Sequence, residues 1–478
     1  MKILLLYPED DEYGWSIQFR SQWNDLPDYS AEKFYPMATA CLGSVLLHEG
    51  HEVRTSINIP APAFKNHFVN EVREFKPDIV ALTCLSTNRL SVYDALNFLQ
   101  TLKDDKPIVV LGGIHATYLA RQLLTSFPAI DYILKGECDL TFPQLLKAIK
   151  EGYQIDDIVG LGYRKNKQVY ISDQSAFVKD LDSLPWPAHH LFKNIITKWR
   201  TANILATRGC PCNCLFCCQL PNWSHNQRYR HYQSVADEME YLYRKYDLKF
   251  LRFADETFTA NKKWVIEFCK SVKKKKINLP WFSRTMISFL DDEICSYLEE
   301  ANCFSLVVGI ETGNYDISKN IDKPLEQEKV IEVCQCMVDH KIRPVTSFTI
   351  GNPGENFSSI LDTLKLIRKI KIWKIKVYTT SIAVGSRLWK FATNDIHYIE
   401  DSYWLGKGPC PLYTVEKPEF ILNFYRVLVI VWYCICKKRL KSFINFCYCF
   451  IGFFVILLLQ RVMPHKKVYI KWKKIHLD

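Results

Sequence analysis

The sequence predicts an α/β protein with two successive domains, a doubly wound parallel sheet followed by an incomplete (β/α) barrel. Two observations lead to this prediction. Short β-rich runs alternate with amphipathic stretches five times in residues 1–150 and six times in residues 199–385, which is the rhythm of parallel strands joined by crossover helices. The composition, 48% hydrophobic and 24% charged, is that of a folded globular protein.

Length and cysteine usage suggest a cytoplasmic protein of two or three domains. The 478 residues include eighteen cysteines, which are scattered through apparent helices and strands. The apolar start Met1–Tyr7 is too short for the core of a signal peptide and runs directly into Pro8–Asp11. We therefore expect reduced thiols in a cytoplasmic setting, not a disulfide framework.

Residues 1–150 are predicted to form the first domain. Its strands are Lys2–Tyr7, Glu52–Ile57, Ile79–Thr83, Ile108–Leu111 and Tyr132–Leu134. Ligands of such sheets bind at the carboxyl ends of the strands. Here the third strand ends in Thr83-Cys84-Leu85-Ser86 and the fourth in Gly112-Gly113, so a bulky ligand could approach the backbone closely. Residues 151–198, with a hairpin predicted around Lys165-Asn166-Lys167, are expected to be a linker without a functional site.

Residues 199–385 are predicted to form the barrel. Its strands are Ile204–Thr207, Phe250–Ala254, Trp281–Thr285, Ser305–Ile310, Val345–Ile350 and Ile375–Thr380. Six units in place of eight indicate a partial barrel, and the active site of a barrel lies at the carboxyl ends of its strands.

Cys210, Cys214 and Cys217 follow the first of these strands in a C-x3-C-x2-C spacing on a loop rich in Gly, Pro and Asn. Three thiolates can hold three irons of a cubane cluster and leave the fourth iron open, whereas a closed cluster takes four. The alternatives are a zinc site, for which no second C-x2-C pair follows at zinc-ribbon spacing, and a set of inert thiols. Cys212 and Cys218 are interpreted as neighbouring thiols.

This loop resembles that of the radical S-adenosylmethionine (SAM) enzymes, in which SAM chelates the open iron of a [4Fe–4S] cluster. Phe216, the aromatic residue before the third cysteine, fits the same pattern. The resemblance implies further SAM contacts at the ends of later strands: Asp255 and Glu256 for the ammonium group, Glu311 for the ribose and the turn at Gly351 for the adenine. Arg284 is a fixed cation within reach of either the SAM carboxylate or a substrate anion. Arg284 paired with a neighbouring carboxylate is the alternative for that residue.

The first domain resembles cobalamin-binding domains, which carry Ser-x-Leu followed some 26 to 28 residues later by Gly-Gly. Thr83, Leu85 and Ser86, then Gly112 and Gly113, match this spacing with Thr in place of Ser. The histidine that often ligates cobalt is absent from residues 34–43, so bound cobalt is expected to lack a ligand from that loop. His115 is interpreted as a structural or tail-contacting residue. An ordinary Rossmann-like domain with Gly-Gly in a turn is the alternative.

The C-terminal region, residues 386–478, is predicted to be helical and apolar. Phe443–Leu459 has no charge, is borderline in length for a membrane span and is flanked by basic residues on both sides. We expect peripheral contact with the inner face of the cell membrane through residues 420–475. A buried helix closing the open side of the barrel is the alternative. Lys273–Lys276 is interpreted as a solvated helix end and not as a nucleic-acid site.

Taken over residues 1–385, the resemblance is to cobalamin-dependent radical SAM proteins, the class that includes methylases and magnesium-protoporphyrin monomethyl ester cyclases. It implies reductive cleavage of SAM to a 5′-deoxyadenosyl radical and, with cobalamin, methylation of an unactivated carbon in a small or lipid-like substrate. It also implies an electron donor such as flavodoxin or ferredoxin. Ring closure or rearrangement without methyl transfer is the second enzymatic hypothesis, and a cobalamin- or redox-responsive binding protein is the third.

Overall fold

The computed structural model describes residues 1–8, 34–57, 61–218, 226–395, 400–406 and 416–437, and two parallel sheets follow one another along them. The first sheet contains β1 (Lys2–Tyr7), β2 (Glu52–Ile57), β3 (Ile79–Thr83), β4 (Ile108–Gly112), β5 (Tyr132–Leu134), β6 (Leu161–Lys165) and β7 (Gln168–Ile171). The second contains β8 (Thr201–Ile204), β11 (Phe250–Phe253), β12 (Trp281–Thr285), β13 (Cys303–Glu311), β14 (Arg343–Ile350) and β15 (Lys374–Thr379). A short antiparallel pair consists of β9 (Thr207–Arg208) and β10 (Arg228–Tyr229).

The helices cover both faces of the first sheet and the outside of the second. Those of the first part of the chain are α1 (Met37–His48), α2 (Ala61–Phe75), α3 (Arg89–Thr101), α4 (Ile114–Tyr118), α5 (Ala120–Ser126) and α6 (Cys138–Glu151). Those that follow are α7 (Lys193–Trp199), α8 (Tyr232–Tyr246), α9 (Lys262–Lys274), α10 (Asp292–Glu300), α11 (Tyr315–Asn320), α12 (Gln327–Asp339), α13 (Phe357–Lys369), α14 (Arg387–Lys390) and α15 (Glu419–Cys436).

The first sheet has the strand order β2-β1-β3-β4-β5-β6-β7, in which the first five strands are parallel. Its central strands are buried on both faces, which is why Ile79–Thr83 reads as a continuous apolar run. The hairpin predicted in the linker differs from expectation in one respect. It pairs antiparallel with β5 and so extends this sheet.

The second sheet has the order β15-β14-β13-β12-β11-β8, with every neighbouring pair parallel, as a partial barrel of six units requires. Five of its strands lie where the sequence predicts them. The first strand is Thr201–Ile204 and not Ile204–Thr207, because the chain leaves the sheet at Leu205 and only Thr207 and Arg208 pair again, with β10.

Helix α15 packs against β15, which is the last strand of the barrel, and against α13. Leu422, Val429 and Tyr433 on its inner face join the barrel core. It is the one helix in the described ranges whose length and apolar composition would suit a membrane span, and 39% of it is buried inside the protein. The burial supports packing against the barrel for this helix. The apolar run Phe443–Leu459 lies outside the described residues.

The chain just before α1 inserts beneath the barrel. The ring of Phe34 packs edge-on against Phe250 and Phe282, at centroid distances of 6.1 and 5.8 Å, and these rings form an apolar floor. The hydroxyl of Tyr35, next along the chain, lies 2.6 Å from Nδ1 of His189, and the amide of Asn203 donates to its carbonyl oxygen. The segment expected to lack a cobalt-ligating histidine, residues 34–43, therefore begins beneath the barrel and continues into α1.

Candidate active site between the two domains

The cysteine loop is held at the carboxyl end of β8 by backbone contacts on both sides. Leu215 donates its N–H to the carbonyl of Ile321, and the N–H of Leu388 donates to the carbonyl of Leu215, both at 3.0 Å. Gly209 supplies the left-handed turn (φ +97°) that leads into the loop. Cys210, Cys214 and Cys217 are each half-buried here, and none of the cysteines in the described ranges forms a disulfide.

Asp255 holds the residues that lead into this loop. Its carboxylate is completely buried and accepts the backbone N–H groups of Ala206 at 3.3 Å and Thr207 at 2.6 Å. Burial raises its pKa to about 6, against the opposing effect of those hydrogen bonds. Both oxygens are thus engaged with the chain that precedes Cys210, which makes Asp255 a positioning residue in this structure.

The thiols lie in distinct polar surroundings. Cys210 Sγ is 3.1 Å from the hydroxyl of Thr257, and a hydrogen bond from Cys212 lowers the pKa of Cys210. Burial raises the pKa of Cys214, although the ammonium of Lys323 opposes that rise. Cations and hydrogen-bond donors beside thiols favour the thiolate, which is the form that binds metal.

Glu311 ends β13 in the left-handed region (φ +67°), directly after a register shift between Gly309 and Glu311. Its carboxylate accepts from Lys323 at 2.8 Å and from Ser347 at 3.5 Å. A Cβ on Gly309 would overlap this ion pair, so the glycine leaves room for the pair in its present position. A non-glycine residue held at positive φ is strained, and such strain concentrates at functional sites.

Lys323 is a residue that the sequence analysis missed. It is fully enclosed, and burial alone would lower its pKa, yet the charges of Glu311 and Cys214 raise it. One ammonium group therefore links the predicted ribose carboxylate to a predicted cluster thiol. Its only signal in the sequence is a lysine before Pro324, in a turn far from both partners.

The remaining strand ends are arranged as follows. Arg284, whose side chain is exposed, lies 4.0 Å from the carboxylate of Glu256. Gly351 adopts φ +91° and faces Leu422 of α15, where a Cβ would come within 3.0 Å. Glu355 accepts the N–H of Gly351 at 2.5 Å, and burial raises the pKa of Glu355 to about 7. The turn after β14 is therefore held by a buried carboxylate and packed against α15.

The first domain presents its predicted ligand edge to the same region. Gly113 (φ +97°) is forced by the fold, because a Cβ there would lie 2.6 Å from the carbonyl oxygen of Cys84. Gly112 is different, because its Cβ would make only ordinary contacts, at 3.4 Å or more. Thr83 ends β3 and Leu85 lies just after it, and Asn88 connects them by accepting from Leu85 N and donating to Thr83 O.

His115 is a structural residue in this protein. Tyr93 donates its single hydroxyl proton to the carbonyl of Trp404 at 2.8 Å, so it must accept from Nε2 of His115 at 2.9 Å. Nδ1 then accepts from Ser86, at 3.2 Å. Burial lowers the pKa of His115 to about 3, so the imidazole is neutral and both its nitrogens are engaged. These contacts agree with the interpretation that His115 is not a cobalt ligand. They also mean that the hydroxyl of Ser86 is already hydrogen-bonded to His115.

Apolar packing joins the cysteine loop and the end of the barrel to the first domain. Leu215 and Phe216 pack against an apolar cluster that contains Leu119 of that domain and Val384 of the segment after β15. Gly385 (φ +88°) lies against the ring of Tyr118, which leaves no space for a Cβ. The loop, the end of the barrel and the first domain thus form one packed unit.

A buried ion network anchors the same loop. Arg208, two residues before Cys210, donates to both oxygens of Asp139, at 2.7 and 3.1 Å, and to Glu137 at 3.1 Å. Arg228 of β10 also pairs with Glu137. Burial alone would lower the pKa of Arg208, but the two carboxylates raise it well above its usual value. Bidentate pairing of this kind fixes orientation as well as distance.

Comparisons with known proteins identify the chain. Residues 204–367 match the Radical SAM superfamily and residues 28–146 match the B12 binding domain. The chain belongs to the radical SAM superfamily. More particularly, it is a radical SAM protein with an N-terminal cobalamin-binding domain, related to magnesium-protoporphyrin monomethyl ester cyclases and class B methyltransferases. The predicted family and fold class are confirmed.

Relatives and solved structures agree with this assignment. An uncharacterized methyltransferase of Pyrococcus horikoshii is 26% identical over 75% of this chain and 78% of its own length. The anaerobic magnesium-protoporphyrin IX monomethyl ester cyclase of Rubrivivax gelatinosus is 29% identical over 63% of this chain and 56% of its own. The radical SAM enzyme OxsB, with aqua-cobalamin and SAM bound, superposes with a TM-score of 0.69 at 15% identity, over 97% of this chain and 73% of its own. The methyltransferase TsrM from Kitasatospora setae gives 0.67 at 17%, over 87% and 81%.

The residues present fit the cofactors of this family, which are a [4Fe–4S] cluster, SAM and cobalamin. Three half-buried thiols on a pinned loop, with a lysine ammonium beside one of them, suit a cluster with an open iron. At the facing edge of the first domain no neighbouring atom of the described residues requires Gly112 to be glycine, so its missing side chain suits a ligand that approaches the backbone.

Proposed function

We propose that this protein methylates an unactivated carbon of a small-molecule substrate by radical SAM chemistry that depends on cobalamin. When bound, the reduced cluster and SAM supply the radical that activates the substrate, and cobalamin supplies a carrier for the methyl group. The observation that carries the proposal is the apolar cluster against which Leu215 and Phe216 pack, because that cluster also contains Cys84 and Ala116 beside the predicted cobalamin edge.

Each side chain has a separate part in this proposal. Cys210, Cys214 and Cys217 ligate the cluster, and Lys323 offsets negative charge beside Cys214 while it orients Glu311 toward a ribose. Glu256, which follows β11, and Arg284, near the end of β12, contact the polar groups of SAM. The turn at Gly351 supports the adenine. Thr83, Leu85, Ser86, Gly112 and Gly113 line the cobalamin edge, and Asp255 holds the cysteine loop in place.

Product analysis tests the proposal. Protein reconstituted without oxygen with iron, sulfide and cobalamin should convert SAM to 5′-deoxyadenosine under reductant. With cell extract as the source of substrate, it should also form S-adenosylhomocysteine and a product heavier by one methyl group. Formation of 5′-deoxyadenosine without S-adenosylhomocysteine would favour ring closure, the reaction of the cyclase relatives. Absence of both would favour a binding protein. Flavodoxin or ferredoxin is the proposed electron donor.

Peripheral membrane contact through residues 420–475 is a second part of the proposal, added to a cytoplasmic location that is consistent with these relatives. On α15 the side chains of Phe420, Phe424 and Ile435 are 72%, 57% and 56% exposed. An exposed row of large apolar side chains on one helix suits a surface that meets lipid.

Vesicle flotation measures this contact. The double variant Phe420→Ser, Phe424→Ser should bind vesicles of phosphatidylcholine and phosphatidylserine at least about tenfold more weakly than the wild type, since burying each phenyl ring contributes about 1.5–3 kcal/mol. Tyr153→Ser removes an exposed ring just after the first domain and should leave binding unchanged. Equal binding by all three proteins contradicts the proposal.

A further inference from the structure

Helices α10 and α12 pack against each other on the outside of the barrel and bring three metal-binding side chains together. Cys336 and His340 lie four residues apart at the end of α12, and the N–H of His340 donates to the carbonyl of Cys336 at 3.1 Å. Both side chains therefore project from one face of the same helical turn. Asp292 lies in the first turn of α10. We call Asp292, Cys336 and His340 the interhelical triad.

The three donor atoms of the triad are close enough to share one ion. Oδ1 of Asp292 lies 2.9 Å from Nε2 of His340 and 3.8 Å from Sγ of Cys336, and all three atoms lie within 4.8 Å of one another. Ligand atoms around a tetrahedral zinc ion are about 3.3–3.7 Å apart, given bonds of about 2.0–2.3 Å. The side chain of Asp292 is 89% exposed, so it is free to make this small adjustment. In the described ranges no other set of three His, Cys, Asp or Glu donors is this compact.

The atoms around the triad favour a metal ion over a proton. Nδ1 of His340 lies 3.2 Å from the carboxylate of Glu299, which accepts hydrogen bonds, so the ring hydrogen is on Nδ1 and Nε2 faces Asp292. A carboxylate behind the far nitrogen is the usual arrangement of a metal-ligating histidine. The buried thiol of Cys295 on α10 is hydrogen-bonded to the thiol of Cys336. A proton on Nε2 engages Asp292 alone, whereas a metal ion also uses Sγ of Cys336.

We infer that the interhelical triad binds a divalent transition-metal ion, zinc by its donor set, and that the ion links α10 to α12. One thiolate sulfur, one imidazole nitrogen and one carboxylate oxygen suit zinc, with water completing the coordination. Calcium and magnesium prefer oxygen ligands alone. The inference does not rest on the proposed function, because the triad belongs to two outer helices and the cysteine loop follows β8.

Zinc binding by the full-length protein tests the inference, with the [4Fe–4S] cluster assembled first so that the cysteine loop is filled. The protein is dialysed without oxygen against zinc buffered by a chelator, and zinc and iron are counted by mass spectrometry. The wild type should retain one zinc per chain in addition to its iron. X-ray absorption at the zinc edge should show one sulfur neighbour at about 2.3 Å, with nitrogen and oxygen neighbours at about 2.0–2.2 Å.

Three variants assign the zinc to the triad. Asp292→Asn, Cys336→Ser and His340→Gln should each weaken zinc binding by at least about tenfold, because each removes a ligand. Asp292→Asn changes an exposed side chain, so it decides the question even if a variant on α12 fails to fold. The matched controls are His67→Gln, a surface histidine that also faces a carboxylate on its own helix, and Cys436→Ser at the end of α15. Both should bind zinc as the wild type does.

The link between the helices has its own measurement. Zinc should raise the melting temperature of the wild type by at least about 2 °C and leave that of Asp292→Asn unchanged, because an ion that binds the folded state stabilises it. Equal melting temperatures of the wild type with and without zinc overturn the linking role.

Two results overturn the site itself. One is equal zinc binding by the wild type and Asp292→Asn. The other is an absorption spectrum with three sulfur neighbours, which places the zinc in the cysteine loop. Formation of 5′-deoxyadenosine is measured separately, so neither result bears on the proposed function.

Discussion

Replacing Cys214 by alanine should abolish the cluster and lower the rate of SAM cleavage by at least about a thousandfold, which corresponds to about 4 kcal/mol in the activation barrier. Two thiolates cannot hold the three irons that a site with one open iron requires. The measurements are iron and sulfide content, the electron paramagnetic resonance signal of the reduced protein, and 5′-deoxyadenosine formed under reductant.

Cys212→Ala and Cys218→Ala are the matched controls, since both remove a thiol from the same loop. Cys212 lies 2.6 Å from the sulfur of Met286 and is interpreted as a neighbour of the cluster, so both control proteins should retain the cluster. A cluster that survives Cys217→Ala but is lost in Cys218→Ala would make Cys218, and not Cys217, a ligand. A cluster that survives Cys214→Ala contradicts the assignment altogether.

Replacing Arg208 by methionine should lower the free energy of unfolding by about 3–5 kcal/mol, because it leaves buried carboxylates without their cation. Asp139 loses both its bidentate bonds, whereas Glu137 retains Arg228. Urea denaturation monitored by tryptophan fluorescence measures the loss. The cysteine loop starts two residues later, so iron content after reconstitution should also fall.

Two further variants show whether the effect comes from the unpaired charge. Asp139→Asn added to Arg208→Met should restore part of the lost stability, since it neutralises the stranded carboxylate. Arg244→Met removes an exposed arginine that pairs with Glu240 on the surface of α8 and should change stability by no more than about 0.5 kcal/mol. If Arg208→Met costs no more than this control, the network does not anchor the loop.

Much of the fold could be predicted because parallel strands buried on both faces leave a continuous apolar signal. Ile79–Thr83 and Trp281–Thr285 have the same bounds in the structure as in the prediction. The first barrel strand was misplaced by three residues because Thr201-Ala202-Asn203 is polar at two of its positions and the more apolar residues follow it. There Asn203 and Thr201 are buried, and the side-chain amide of Asn203 donates to the carbonyl of Tyr35, 168 residues away, which a pattern of hydropathy does not reveal.

Only those site residues that lie in short local motifs could be predicted from the sequence. The cysteine spacing and the strand ends are short patterns, so Cys210, Glu311 and Gly351 could be selected from them. Lys323 and the pairing of Arg208 with Asp139 could not, because the partners are separated by 12 and 69 residues and no periodicity connects them. The sequence correctly places Asp255 at a strand end, but the orientation of its side chain depends on the fold.

The insertion of Phe34 and Tyr35 beneath the barrel restricts how this protein can be divided. A truncated catalytic fragment that begins after residue 150 would expose the rings of Phe250 and Phe282 and remove the phenol that accompanies His189. In a chimera that takes its first domain from another enzyme, residues 34–36 must therefore come from the same protein as the barrel.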